Sequence, residues 1–109
     1  MIIIWTIKVG QGREVQHNFV RDVCSALTKE GCSLEVLITK GDADVAIILR
    51  DPLSDDTDSA RAWDEQLRKI AREHAYIDID KYYCKTNTGF SFSIFTSRGA
   101  PKLKISLGK

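Results

Sequence analysis

Apolar residues recur along the chain with two alternating periods. Ile3, Trp5, Ile7 and Val9 fall at every second position, and Ile2 and Ile4 make the opposite side partly apolar as well. This pattern predicts a strand over 2–9 in the interior of a sheet, where both faces are covered. From Arg13 to about Glu30 the period changes. Val15, Phe19, Val23 and Leu27 recur every four residues, and Val20 and Cys24 widen the stripe. A helix with one buried face is expected there, with Gly31 standing where a C-terminal cap belongs. Residues 33–40 alternate as a half-buried strand, and Val45-Ala46-Ile47-Ile48-Leu49 is a second run apolar on both faces. Residues 50–59 read as a loop, in which Pro52 disfavours helix at Asp51 and the Asp, Ser and Thr side chains offer several helix caps. Ala60, Trp63, Leu67, Ile70 and His74 then follow a 3-4-3-4 spacing, which predicts a second helix ending near Ala75. Three short strands are expected after it, over 76–84, 90–95 and 102–107, joined by turns at Asn87-Thr88-Gly89 and Arg98-Gly99-Ala100-Pro101.

The first six elements run strand, helix, strand, strand, helix, strand, the order of a ferredoxin-like βαββαβ unit. The fold class expected is therefore α+β, with two helices on one face of a mainly antiparallel sheet and C-terminal hairpin strands extending it. In that arrangement the first and third strands are central, and those are the two that are apolar on both faces. A chain of 109 residues with 43% apolar content is expected to form a single domain over 1–109. If the helices cover only one face, the other is free for a partner, and Trp5 or the Ile2/Ile4 pair could then contribute to a subunit interface.

Candidate chemistry is sparse. Gly10-Gln11-Gly12 follows a strand and precedes a helix, but Val15 occupies the third glycine position of a dinucleotide fingerprint, and no Gly-Lys-Ser/Thr follows. The pair is expected to turn the chain, and no cofactor is expected. Asp51, Asp55, Asp56 and Asp58 lack the glycine and closing glutamate of a calcium loop, so capping accounts for them better than a metal does. His17 lies on the polar side of the first helix, and His74 closes the apolar stripe of the second. Either could act as acid or base only through a tertiary contact, which keeps a small enzyme as a third hypothesis. Cys24, Cys32 and Cys84 have no CxxC spacing and are expected as reduced, partly buried thiols, although a Cys24–Cys32 disulfide stays possible. With no membrane-length apolar run, and no basic segment or cleavage site around the opening apolar residues, a cytoplasmic protein without membrane contact is expected.

Charge changes the picture most. Net charge is +1, yet residues 1–80 hold all 15 acidic residues and 10 of the 16 basic ones. Residues 81–109 hold Lys81, Lys85, Arg98, Lys102, Lys104 and Lys109 and no acid. Such segregation marks a surface for an anionic partner. The stretch Thr88–Phe95 is similar in chemistry to the glycine-aromatic strand of RNA-recognition motifs, with Gly89, Phe90, Phe92 and Phe95 at matching positions. Its place after the second helix, and Ser91 and Ser93 within it, depart from that family. The leading expectation is a non-enzymatic module binding RNA or single-stranded DNA. Lys81, Lys85, Arg98, Lys102 and Lys104 would neutralise phosphates, and Tyr82, Tyr83 or Phe95 would stack on bases if exposed. The alternative is a protein-interaction domain (an inhibitor, an immunity protein or a homo-oligomer) that meets an acidic protein face or pairs through an edge strand.

Overall fold

The computed structural model describes residues 1–10, 12–38 and 44–86, together with the backbone of 89–93. The elements in chain order are β1 (Ile2–Val9), α1 (Arg13–Ala26), β2 (Ser33–Ile38), β3 (Val45–Arg50), α2 (Thr57–Arg72), β4 (Ile77–Thr86) and β5 (Gly89–Ser93). The five strands form one sheet in the order β2-β3-β1-β4-β5, with every neighbouring pair antiparallel. The fold is thus α+β, with β1 and β3 internal as their two apolar faces require. The strand expected over 102–107 lies outside the described residues.

One apolar core joins the sheet to both helices. Ile3, Trp5 and Ile7 of β1 stand opposite Leu49, Ile47 and Val45 of β3, and this row meets Phe19 and Val23 of α1 and Ala60, Trp63, Leu67 and Ile70 of α2. Trp5 is fully buried, which corrects its expected availability to a subunit interface. Its indole Nε1–H donates to Asp64 Oδ1 at 2.9 Å, and Asp64 Oδ2 accepts from Arg68 Nε at 2.8 Å.

Element ends differ from the sequence pattern for local reasons. Helix α1 stops at Ala26 rather than near Glu30. The Thr28 hydroxyl takes the Cys24 carbonyl at 2.7 Å, and Leu27, buried in the core, leaves the helical conformation. Gly31 is not the cap of α1. It turns the chain into β2 with φ +89°, and a Cβ there would lie 3.1 Å from Leu53 Cδ1. Helix α2 starts earlier than Ala60, because Asp56 Oδ1 accepts from Ser59 N at 2.7 Å and caps it.

Strand β4 carries a bulge. Thr6 pairs with Lys81 but Ile7 pairs with Ile79, leaving Asp80 as the extra residue. The bulge switches side-chain parity. Ile77 and Ile79 before it and Tyr82 and Cys84 after it all reach the helix-side core.

At the entrance to β4, Tyr76 holds φ +70° while its side chain is 60% exposed. Its carbonyl accepts from Gly10 N at 2.8 Å, tying this turn to the end of β1. A left-handed tyrosine costs about 1–2 kcal/mol, against about 0.5–1 kcal/mol of extra backbone entropy for glycine. Tyr76→Gly is therefore expected to raise stability by roughly 0.5–1 kcal/mol, and Tyr76→Ala to give no such gain, as read from urea midpoints.

Candidate functional site

Of the eight residues expected to form an anion-binding surface, Lys81, Tyr82, Tyr83 and Lys85 fall on β4, and Arg98, Lys102, Lys104 and Phe95 lie outside the described residues. Strand β4 sits between β1 and β5, so its side chains are flanked on both sides. Tyr82 is 8% exposed and packs its ring on Trp5, with centroids 6.1 Å apart. Tyr83 is 5% exposed on the opposite face, where it stands across from Ile4. Burial pushes both phenols above their ordinary pKa, with the neighbouring Cys84 adding to it. Exposure was the condition for these two rings to stack on bases, and neither ring meets it.

Lys81 is also interior, at 7% exposure, with Nζ 3.3 Å from Asp80 Oδ2. Adjacent strand residues ordinarily point to opposite faces, and the bulge lets this pair converge. Lys81 thus meets a carboxylate of its own chain. Lys85 is partly buried and has an interaction partner of its own. Ile4, Lys81 and Tyr83 are all buried on the sheet face away from the helices, so this part of it is not open to a partner.

A second arrangement is centred on Asp51. This residue leaves β3 and turns inward, fully buried. Its Oδ2 accepts from Trp63 Nε1 at 2.9 Å, and its Oδ1 accepts from Leu53 N at 3.0 Å. The Cys32 thiol bonds to the same carboxylate. Burial opposes ionisation, but the bonds from Trp63, Cys32 and Leu53 outweigh it and hold the carboxyl below its usual range. The backbone of Asp51 pairs with Met1 in both directions, N to O at 2.9 Å and O from the Met1 nitrogen at 3.0 Å. Above Asp51 lies a cleft of about 310 Å³, bordered by Lys29, Ser54, Ser59, Trp63 and Gln66. The carboxylate already has three donors, which makes it an anchor of the fold. A buried tryptophan needs an acceptor, and that need was the one signal in the sequence that could have pointed to Asp51.

The histidines separate. His17 is exposed on α1. His74 Nε2 lies 2.7 Å from Asp22 Oδ2, and its ring meets Phe19 edge-on at 5.8 Å, which docks the end of α2 on α1. The three cysteines are free thiols. Cys24 is exposed, not partly buried, because it projects from α1 beside Val23 but off the buried stripe. Burial raises the Cys84 and Cys32 thiols above their ordinary pKa, and Asp51 raises Cys32 further.

No family model, no curated protein and no solved structure matches this chain. Among the described residues, no helix is long and apolar enough to cross a membrane.

Removing the Asp51 carboxylate leaves the buried indole of Trp63 without its acceptor. Asp51→Ala is expected to lose about 1–3 kcal/mol of stability in denaturant unfolding. Because the folded pKa is depressed, the carboxylate's contribution is complete above about pH 4 and is lost as pH falls through the folded value. Asp51→Asn should therefore show a shallower loss of stability in acid than the wild type. Thiol alkylation under native conditions should modify Cys24 first, Cys32 more slowly because its thiol is partly covered and held protonated, and Cys84 only as the protein opens.

Proposed function

We propose that this chain is a non-enzymatic binding module that engages a polyanion, RNA or single-stranded DNA, through phosphate contacts. A single observation carries this proposal. The last 29 residues hold six of the 16 basic side chains and none of the 15 acidic ones. The expectation of a strand over 102–107 with lysines deterring unwanted pairing would account for Lys102 and Lys104 individually. It does not account for the exclusion of every carboxylate from so long a stretch.

The buried positions of Tyr82, Tyr83 and Lys81 narrow the proposal. Lys85, Arg98, Lys102 and Lys104 are the phosphate contacts in this form, and β4 contributes no stacking platform. Without stacking from β4, the module should discriminate little between base compositions. The scaffold proposed is the ferredoxin-like βαββαβ unit, which is supported by the order β2-β3-β1-β4 and its antiparallel pairings. A cytoplasmic setting is supported by three unpaired thiols.

Fluorescence anisotropy with labelled oligo-dT and oligo-rU tests this directly. The association constant should fall with salt at a log–log slope of about −3, as four neutralised phosphates on a single strand require. The double variant Lys102→Glu/Lys104→Glu should bind at least about tenfold more weakly, and Lys81→Met should bind as the wild type does. No detectable binding at low salt overturns the proposal.

A further inference from the structure

We infer that the edge of β2 away from β3 is an interface at which two copies of this chain pair, antiparallel about a twofold axis at Val36. This inference does not depend on the polyanion proposal, and it gives a specific form to the expectation of an edge-strand partner. Among the described residues, β2 has β3 on one side and no strand on the other. Natural edges are usually blunted by lysine, proline or a bulge. Ser33-Leu34-Glu35-Val36-Leu37-Ile38 has none of these, and its register with β3 is regular throughout. Its one charge, Glu35, is already engaged by Arg50 Nη1 at 3.1 Å.

The edge is apolar as well as unprotected. Leu34, Val36 and Ile38 stand across from Leu49, Ile47 and Val45, so they continue the row of the core. Cover fades towards the edge: Leu34 and Val36 are half-buried and Ile38 is 51% exposed. On the other face Leu37 is 49% exposed.

Geometry then selects the partner. In antiparallel pairing about a twofold axis normal to the sheet, residues opposite one another point to the same face. Their numbers must therefore add to an even total, because side chains alternate along the strand. Only two registers satisfy this and keep five of the six residues of β2 paired. Centred on Glu35, the pairing sets two carboxylates directly opposite, which is destabilising. Centred on Val36, it sets Val36 on its own copy, Leu34 opposite Ile38 of the second copy, and Glu35 opposite Leu37 of the second copy. That register has no like charges opposed and aligns the half-covered apolar residues of both copies in one row. The strand is therefore complementary to itself, and the pairing joins two five-stranded sheets into one.

Charge reversal at Leu37 tests the register. Leu37→Glu places a carboxylate opposite Glu35 at two symmetry-related positions, whereas Leu37→Lys places an ammonium at both. The site is half exposed, so both variants should keep the monomer fold, which circular dichroism melting verifies. In sedimentation of nuclease-treated protein, the wild type should self-associate. The dimer dissociation constant of Leu37→Glu should exceed that of Leu37→Lys by about tenfold or more, with the gap narrowing as salt rises. A wild type that stays monomeric at its solubility limit overturns the inference, as does a dimer that tolerates both variants equally. A complex that forms only with a different protein overturns it as well.

Discussion

The structure depends on two indole N–H groups and the carboxylates that receive them. Trp5 of β1 donates to Asp64 and Trp63 donates to Asp51, so neighbouring residues of α2 are bonded in opposite senses to the central strand and to the exit of β3. A helix bonded at one point can still rotate about its axis. A helix bonded at two adjacent residues, about 100° apart around that axis, cannot. The rotation fixed in this way turns Leu67 and Ile70 onto the sheet and brings His74, at the far end, to Asp22 of α1. Each bond also removes a cost, since an indole N–H buried without an acceptor would weigh against the core that surrounds it. Arg68 holds the second oxygen of Asp64, and the Leu53 amide holds the other oxygen of Asp51.

The bulge at Asp80 has the larger effect on the surface that a binding partner meets. Its one extra residue lets the odd-numbered isoleucines and the even-numbered Tyr82 and Cys84 share a core, and it turns Lys81 onto the buried part of the other face beside its own Asp80. A lysine that looks like part of a cationic surface in the sequence is thereby satisfied internally. The tyrosines follow the same logic. On a strand between β1 and β5, Tyr82 is buried in the helix-side core and Tyr83 on the opposite face, and burial raises both phenols above their ordinary pKa.

Much of the architecture was legible because each element carries one dominant period. The four-residue recurrence of Phe19, Val23 and Leu27 and the two-sided apolar runs of β1 and β3 each specify both an element and its depth in the fold. Local competition was less legible. Thr28 ends α1 through a side-chain bond that periodicity does not register, and Asp56 caps α2 through an oxygen that accepts from Ser59 N. The Asp51 anchor was hidden by its surroundings, since an aspartate before a proline in an acidic loop has the composition of a solvated turn. The candidate site was the least legible part. Counting charges along a chain cannot separate a cation facing water from one folded against its neighbour, and one bulged residue decides that difference at Lys81.

Strand order sets a constraint on how the molecule is built. β1 pairs on one side with β3 and on the other with β4, so Ile2 finds its two neighbours at Arg50 and Lys85. Strand β1 is thus made some eighty residues before its last flank. Pairings between such distant segments require large loops to close first and slow the search for the native topology. Until β4 docks, β1 shows an unpaired backbone edge and a sticky row of isoleucines to anything nearby. During that interval β1 has the exposed edge and apolar surface that aggregation and chaperone binding both exploit.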